Sequence, residues 1–585
     1  MGWGWAHRKT ILLKEWIALK CFTLEHPDTK KVLVETKGTR NLRAAGTLLF
    51  VVAVGLYVVN CGSKSTAPGG GTTPPPLGTT TTVVTTYHND NPRTGQNLNE
   101  TILTTSNVNT STFGKLFVIS ADGKVDAQPL YLPSVIIPGK GMHNVLFVVT
   151  EHGSVYGFDA DTGTQRWRVS TLSPGEVSSD DRGCGQVTPE IGVTSTPVID
   201  ARAGTHGTIY VVGMSKDPMG NYHQRLHALE VTTGAEEFGG PKEIEASYPG
   251  TGDNSSNGNV IFDPGQQLER PGLLLLNGVV YTTWGSHCDV RPYTGWIIGY
   301  DQNTLSQVAV LNVTPNGNEG SFWMSGTAPA ADANGNIFVL DANGTFDSKL
   351  NAQGFPSQGD FGNAFLKIAT ANRQLTVSDY FEMFNQSAEN SIDADLGSGG
   401  ALVLPDLTDS SGQPRHLAVG AGKDTNIYVL DRDSMGKFNP GANNVYQQIQ
   451  SIFPNGVYSM PAFFNNTIYY GAVGDSIRAF GISNARLAST PASQTANAFP
   501  YPGATPSISA NGTGNAILWA VENANPAVLH AYDAGNLATE LFNSNQASGG
   551  RDQFGAGNKF ITPTVINGKV YVGTTSGVGV FGLLD

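Results

Sequence analysis

One short phrase recurs along this chain and restricts the folds open to it. VYGFDADTGTQRWR (155–168) reads as a strand ending on Asp159, a turn through Thr162-Gly163 and a second strand that contains Trp167. Seven eroded copies follow, each an apolar strand leading into a turn, which makes eight in all. The later copies lie at 226–238, 297–311, 364–375, 427–438, 477–487, 529–542 and 578–585.

A second signature precedes each copy: a small or polar residue, usually followed by proline, then a strand, a turn and another strand. Its starts lie 45 to 74 residues apart. A repeat of this length built from strands predicts an all-β propeller of four-stranded antiparallel blades. Eight blades are expected, or seven if the weak copy across 364–432 is one distorted unit. The starts are Pro129, Pro197, Pro271, Pro329, Ala401, Pro461, Pro506 and Pro563.

The recurring phrase has a physical purpose in such a ring. A four-stranded blade has two apolar faces and can bury them only against its neighbours. We expect Asp159 to cap its own turn, Gly163 to supply the positive φ, and Trp167 to pack on the adjacent blade. Because the last copy ends the chain without a further strand, the strand FGKLFVIS (113–120) is expected to complete the final blade and remove both free edges.

Composition and charge narrow the classes of partner. Gly 71 and Pro 32 among 585 residues, with only 14% charged residues, are typical of a β-rich protein with many turns. The net charge of -13 argues against nucleic-acid binding, which needs clustered Lys and Arg. We expect a monomer whose partners are an envelope protein or a small polar ligand.

The amino-terminal region predicts export. Residues 44–61 hold an apolar run behind Arg40 and Arg43 and end at Cys61, which resembles a bacterial lipoprotein signal with Cys61 as the lipidated residue. An uncleaved membrane anchor and ordinary secretion remain as alternatives. Residues 1–43 form an N-terminal extension, 62–83 a disordered Gly/Pro/Thr-rich linker, and 84–585 the propeller. The expected location is the cell envelope, on its periplasmic or extracellular face, with secretion as the alternative.

Two cysteines lie in the part of the chain that would be exported. Cys184 and Cys288 are expected to form a disulfide, because an oxidising compartment disfavours free thiols. Two separately buried thiols are the alternative. Glu151 and His152 follow a strand directly, where an exposed turn is the simplest interpretation.

Residues just before each start should line one mouth of the central channel, since the inner strands of a propeller converge on its axis. Such a mouth suits a small polar ligand or a peptide, although polar residues are also the default around a wet channel. No catalytic residue or metal ligand is assigned. The expected ligand-binding residues are Asp126, Gln128, Glu190, Thr194, Arg270, Trp323, Asp395, Tyr458 and Lys559.

Several segments resemble the pyrroloquinoline quinone-like propellers, an eight-bladed family that includes quinoprotein alcohol dehydrogenases and non-catalytic outer-membrane assembly lipoproteins. The first is the phrase VYGFDADTGTQRW. YHNDNPRTGQNLNETILTTSNVN (87–109), CGQVTPEIGVTSTPVID (184–200) and GAGNKFITPTVINGKVYVGTTSGVGVFGLL (555–584) are more similar still to exported bacterial members of uncertain role. The resemblance spans residues 84–585.

The resemblance implies what a dehydrogenase of this family needs: a quinone stacked between a tryptophan and a disulfide of adjacent cysteines, and a calcium ion on carboxylate and amide oxygens. Trp323 could offer the stacking surface, and Asp393 with Asp395 could offer oxygen ligands or simply form an Asx-rich turn. The chain has no adjacent cysteine pair. A binding or assembly platform is therefore the first hypothesis, a quinone-dependent oxidoreductase the second, and a lyase or hydrolase using channel carboxylates the third.

Overall fold

The structure, a computed structural model, describes residues 82–585. The N-terminal extension, the export segment with Cys61 and all but the end of the linker lie outside the described residues. Helix is scarce in the described part: one α-helix, Gln386–Ser391, and four single 3-10 turns. None of the helices within 82–585 is both long and apolar enough to cross a membrane. The 3-10 turns are Met324–Gly326, Ala371–Arg373, Leu396–Ser398 and Ser548–Gly550.

Strands dominate, and eight of the sheets within the described residues contain an antiparallel meander of four strands. We number these sheets 1 to 8 along the chain and give each from its first strand to its fourth. Sheet 1 is Leu130–Ile137, Gly141–Val149, Ser154–Asp159 and Gln165–Ser170; sheet 2 is Val198–Asp200, Thr208–Lys216, Tyr222–Glu230 and Lys242–Glu243; sheet 3 is Leu274–Leu276, Val279–Ser286, Trp296–Asp301 and Gln307–Asn312; sheet 4 is Ala330–Ala331, Asn336–Leu340, Phe365–Ala369 and Thr376–Glu382.

The second half of the chain repeats the pattern, and its last sheet borrows a strand from the beginning. Sheet 5 is Leu402–Val403, Leu417–Ala421, Ile427–Asp431 and Gln447–Ile449; sheet 6 is Ala462–Phe464, Thr467–Gly471, Ile477–Ser483 and Ser493–Gln494; sheet 7 is Ser507–Asn511, Gly514–Glu522, Val528–Asp533 and Glu540–Asn543; sheet 8 is Thr564–Ile566, Lys569–Thr574, Gly577–Leu583 and Phe113–Ser120.

Short strands extend these sheets or pair between them. Val177–Asp180 and Glu190–Ile191 add to sheet 2, Gln267–Leu268 to sheet 3, Lys437–Phe438 to sheet 4, Arg486–Leu487 to sheet 6 and Gln96–Asn97 to sheet 7. Two small sheets stand apart, one of Ser247–Pro249, Ser255–Ser256 and Asn259–Ile261, the other of Leu407–Thr408 and Pro414–Arg415.

The recurring phrase forms the turn and contact expected of it. An Asp159 carboxylate oxygen accepts hydrogen bonds from the backbone N–H groups of Asp161 and Thr162 at 3.0 and 2.9 Å, and Gly163 has φ of +71°. Trp167 is buried, and its indole N–H donates to the carbonyl of Val231, just after the third strand of sheet 2, at 3.0 Å. The phrase therefore fastens sheet 1 to its neighbour.

Buried apolar clusters join consecutive sheets. Trp296 and Tyr300 of sheet 3 share a cluster with Val212 and Leu226 of sheet 2, and the other consecutive pairs are joined in the same way. One cluster also unites sheet 8 with sheet 1, through residues such as Tyr571. Consecutive sheets thus bury apolar faces against one another, as expected for a repeat of this kind.

The strand Phe113–Ser120 pairs antiparallel with Gly577–Leu583, from Phe113 opposite Leu583 to Ser120 opposite Gly577. The pairing joins the beginning of the described chain to its end. It therefore leaves sheet 8 with four strands, like the other seven meanders.

The segment 84–97 contacts the first strand of every sheet in turn, and we call it the axial segment. Val84 exchanges two backbone hydrogen bonds with Tyr131 of sheet 1, at 3.0 and 2.8 Å. At the other end of the axial segment, the side-chain amide of Asn97 donates a hydrogen bond to the carbonyl of Val565 in sheet 8 at 3.0 Å. The contacts of the axial segment thus form a circuit that begins at sheet 1 and ends at sheet 8. In sheets 2 to 7 the residues bonded to the axial segment are Ile199, Leu275, Ala331, Val403, Phe463 and Ile508.

Candidate functional site

A cavity of about 200 Å³ lies where the chain approaches the first strands of sheets 3 to 8. Its walls come from the segments a few residues before those strands and from loops after second strands, which meet at one end because neighbouring strands are antiparallel. The axial segment bonds to the first strands further along the chain, so it does not line this cavity. The lining residues are Gln186, Arg270, Asp289, Trp323, Ser325, Ala342, Asn343, Asp393, Asp395, Ser398, Lys423, Tyr458, Tyr501, Lys559 and Phe560.

Five of the nine residues expected at the channel mouth line this cavity together: Arg270, Trp323, Asp395, Tyr458 and Lys559. They precede the first strands of five different sheets. Their convergence follows from the repeat, because equivalent positions of successive sheets approach a common axis.

The other four lie apart from the cavity lining. The Gln128 side chain is buried against the axial segment, where its oxygen accepts the backbone N–H of His88 at 2.8 Å. Glu190 bonds to His152 at 3.0 Å near the surface. The Thr194 hydroxyl donates to Glu151 at 3.0 Å, and Asp126 bonds to the amide of Asn558.

Lys423 defines one corner of the cavity, which we call the paired corner. Its ammonium lies 2.5 Å from an Asp393 oxygen and 2.6 Å from an Asp395 oxygen, and Asn343 donates to the same Asp393 oxygen at 2.7 Å. Burial disfavours the charge on Lys423, but the attraction of the two carboxylates outweighs it and raises the pKa of this lysine. The positive charge of Lys423 is therefore neutralised within the paired corner by Asp393 and Asp395.

Arg270 and Lys559 define a second corner, the open corner, around the ring of Phe560. The Arg270 guanidinium lies 4.5 Å from the centroid of that ring and the Lys559 ammonium 5.7 Å from it. Arg270 is only 5% exposed. Within residues 82–585, neither side chain makes a hydrogen bond or an ion pair with the protein. Two cations thus lie near one aromatic ring, and among the described residues neither forms an ion pair with an acidic side chain.

Both cations at the open corner are disfavoured by their surroundings. Burial lowers the pKa of Lys559 to about 8, and the neighbouring Arg270 charge adds to the effect. Burial also lowers the pKa of Arg270, which still stays protonated because a guanidinium is so strongly basic. Asp126 is the nearest acid felt by both, but it is already bonded to Asn558 and lies 3.7 Å from Lys124. An incoming anion would relieve this unfavourable charge.

Aromatic rings continue from the open corner along the cavity wall. Tyr501 packs edge-on to Phe560 with ring centroids 6.3 Å apart, and Tyr458 packs edge-on to Tyr501 at 5.7 Å. Phe560 has φ of +68°, a left-handed backbone that a bulky residue seldom adopts. Such conformations persist where the surrounding structure holds a side chain in place, and here the ring is held under both cations.

Glu151 is a correction to the expectation of an exposed turn. It follows the second strand of sheet 1, yet it is fully buried, with one carboxyl oxygen accepting the backbone N–H of Gly192 at 2.9 Å and the hydroxyl of Thr194. Burial, with Asp126 nearby, raises its pKa well above the usual range. Burial therefore disfavours the charged form of Glu151, so this carboxyl is a weaker acidic neighbour for Arg270 than an exposed carboxylate would be.

Cys184 and Cys288 form a disulfide in the structure, with their Cα atoms 5.5 Å apart. The bridge ties the loop before the first strand of sheet 2 to the loop after the second strand of sheet 3. Gln186 and Asp289, close to the two cysteines in sequence, line the cavity. The disulfide therefore holds one side of the cavity wall.

The residues present do not fit a calcium-bound quinone of the kind the resemblance implies. Asp393 and Asp395, the carboxylates that could ligate the ion, already hold the Lys423 ammonium between them. A calcium ion would have to displace that buried ammonium and leave it unpaired. Trp323 does line the cavity, but the disulfide joins cysteines 104 residues apart rather than adjacent ones.

Sequence reasoning missed several lining residues, and their positions show which signal was overlooked. Asp289, Asn343 and Lys423 all come shortly after second strands, which end where first strands begin. In an antiparallel meander both positions face the same mouth. Lys423 was visible in GAGKD (420–424), a segment that has no nucleotide-binding spacing and begins inside the buried strand Leu417–Ala421.

Comparison with solved structures identifies the fold. No family model and no curated protein matches the sequence. The structure is similar to quinohemoprotein alcohol dehydrogenase from Comamonas testosteroni, with a TM-score of 0.56 and 14% identity over 86% of this chain and 80% of that one. It is also similar to the quinohemoprotein alcohol dehydrogenase ADHIIG from Pseudomonas putida HK5, with 0.53 and 13% over 86% and 80%.

A europium-containing methanol dehydrogenase gives a TM-score of 0.52 and 12% identity, covering 87% of this chain and 99% of that one. At such identities the likeness concerns the fold, and activity has to be argued from the site. Residues 82–585 have the fold of the pyrroloquinoline quinone-like β-propellers.

Proposed function

We propose that this chain is an exported, envelope-tethered binding propeller whose cavity holds a small organic anion against Arg270 and Lys559. The observation that carries the proposal is the open corner: two cations over one aromatic ring, without an acidic partner among the described residues. A buried charge without a partner costs stability, and such costs are retained at binding sites. A carboxylate suits a guanidinium because the two groups can form a pair of parallel, charge-assisted hydrogen bonds.

The binding platform rests on a ring of eight blades that closes on itself. Three independent features support this count and closure: the eight four-stranded meanders, the apolar cluster between sheets 8 and 1, and the circuit of the axial segment. In a closed ring the cavity lies at one end of the axis and the axial segment further along it. Export and tethering through Cys61 are supported by the sequence of residues 44–61.

Calorimetric titration with benzoate, set beside its neutral isostere benzamide, tests anion binding. Benzoate should bind saturably and benzamide at least tenfold more weakly. R270Q should weaken benzoate binding about tenfold to a hundredfold, since a hydrogen bond to a charged group contributes about 1.5–3 kcal/mol. R202Q removes an exposed arginine outside the cavity and should change nothing. Equal binding of both compounds, or an unaffected R270Q variant, would contradict the proposal.

A quinone-dependent oxidoreductase is the second candidate, favoured only by the fold and by Trp323 in the cavity. The Lys423 ammonium between Asp393 and Asp395 counts against it. Adding pyrroloquinoline quinone with calcium and looking for a bound chromophore and dye reduction separates the two functions. Alcohol or sugar turnover would replace our proposal with this one.

A further inference from the structure

We propose that the side-chain amine of Lys559 captures a carbonyl group of the bound anion as a reversible imine, so that the ligand class is the 2-oxo acids. This inference rests on the proposed anion site and adds a covalent step to it. Its basis is the geometry of the open corner, in which a carboxylate-binding guanidinium and a free amine flank the same ring.

The contrast with Lys423 shows why one lysine is suited to this chemistry and the other is not. The Lys423 nitrogen is held by two carboxylates at 2.5 and 2.6 Å, which keep it protonated. The Lys559 nitrogen has no such partner within the residues that the structure describes. An amine attacks a carbonyl only through its free electron pair, and burial beside another cation is an established way to provide it.

The lowered pKa of Lys559, about 8, supports the same assignment. About one side chain in ten is then neutral at pH 7, against roughly one in three thousand for an ordinary lysine. This fraction suffices for reversible addition, and the protonated majority still attracts the anion.

The step balances without an external reactant. The neutral amine of Lys559 adds its electron pair to the carbonyl carbon, forming a C–N bond and a carbinolamine. The carbonyl oxygen then leaves as water with two hydrogens that come from the original ammonium. The net change is ammonium plus carbonyl to protonated imine plus water, with the charge unchanged and nothing oxidised or reduced.

Arg270 would position the ligand for this step. In a 2-oxo acid the carbonyl carbon is bonded directly to the carboxylate carbon. A carboxylate held by the Arg270 guanidinium therefore brings the carbonyl into the open corner, where Lys559 also lies. The Phe560 and Tyr501 rings offer an apolar surface to the rest of the ligand. An aromatic or aliphatic 2-oxo acid fits this arrangement better than a dicarboxylate does.

Three probes that differ by one group each test the inference. Phenylpyruvate carries both groups, phenyllactate lacks the carbonyl, and phenylacetone lacks the carboxylate. Each is incubated with the full chain and sodium borohydride, which reduces an imine to a stable amine, and the modified lysine is located by peptide mass mapping. Phenylpyruvate should label Lys559 at least tenfold more than any other lysine, whereas phenyllactate should leave no adduct. Phenylacetone should label at least tenfold less.

Two variants complete the test. K559R keeps the charge and should abolish the adduct while retaining phenyllactate binding in calorimetry. R270Q should lower the adduct at least tenfold, and circular dichroism confirms that each variant is folded. Adducts spread over exposed lysines such as Lys242, or labelling that survives in K559R, would overturn the inference. If phenyllactate binds but phenylpyruvate forms no adduct, the imine inference is overturned and anion binding stands. If phenyllactate does not bind and phenylpyruvate forms no adduct, the proposed function is overturned as well.

Discussion

Each of the two corners of the cavity contains a lysine, but only one of the two lysines is paired with carboxylates. At the paired corner Lys423 is bound by Asp393 and Asp395. At the open corner Lys559 lies beside Arg270, and among the described residues no acid forms an ion pair with either cation. The first arrangement neutralises its lysine within the fold and leaves no free cation for an anionic ligand. The second costs stability, and only a ligand can recover that cost. Lysines in one cavity can thus serve structure or binding according to their neighbours.

The largest difference between the corners should appear in the stability of methionine variants. K423M leaves Asp395, which is almost fully buried, without its partner and should lower the free energy of unfolding by about 3 kcal/mol. K559M removes an unpaired charge and should leave stability unchanged or slightly raised. Urea unfolding followed by tryptophan fluorescence measures both. Restoration of stability in the K423M/D395N double variant would assign the loss to the pair, and equal losses in K423M and K559M would erase the comparison.

Arg270 should show the opposite sign to Lys423. R270M replaces a buried, unpaired guanidinium by an apolar side chain of similar length and should raise the free energy of unfolding by about 1–2 kcal/mol. The same variant should lose anion binding, so the gain in stability and the loss of binding should occur together. Unfolding in urea with and without saturating benzoate checks this, because benzoate should stabilise only the wild type. A destabilised R270M would mean that Arg270 is structural.

The smallest effect concerns the pH dependence of the two lysines. Because its pKa is lowered to about 8, Lys559 is protonated below that pH and neutral above it, so its acetylation by acetic anhydride should rise about fivefold between pH 7 and 8. From about pH 8 to 10.5 the unfolded chain holds a proton here that the folded one has released, so this group makes stability rise with pH.

Lys423, with its raised pKa, should stay unreactive over the same range. Mass mapping of each lysine gives both profiles, with exposed Lys242 as the reference. A Lys559 profile that follows Lys242, or equal reactivity of Lys559 and Lys423, would remove the distinction between the corners.

How far the sequence predicts the site depends on which contacts follow from the repeat. Arg270 and Lys559 could be predicted at the channel mouth because each precedes a first strand, and the repeat brings such positions together. Both line the cavity. Lys423 was missed because the prediction considered the residues before first strands and not those after second strands, which lie at the same end of each meander. Gln128 was misplaced since its partner, the backbone of His88, comes from a segment 40 residues away with no repeat of its own. The charge state of each corner depends on three-dimensional neighbours, which spacing alone does not reveal.

The fold could be predicted from the sequence more fully than the site, because several of its contacts are encoded in short segments or in the repeat. The turn chemistry of Asp159 and Gly163 is encoded within a dozen residues. The contact of Trp167 with Val231 of the next sheet spans 64 residues, but the repeat predicts that a neighbouring sheet lies there. The Cys184–Cys288 disulfide was also foreseeable, because the compartment rather than the geometry suggests it. The circuit of the axial segment was not, since nothing in its composition shows that it contacts all eight sheets.

That circuit has a consequence for how the molecule is made. Synthesis delivers the amino end first, yet residues 84–97 find their last partner on Val565 and the strand Phe113–Ser120 must wait for Gly577–Leu583. A nascent chain cut short anywhere before its final two dozen residues would expose both early segments to chaperones and proteases. Both early segments therefore reach their last native partners only after residues 565 and 577–583 have been made.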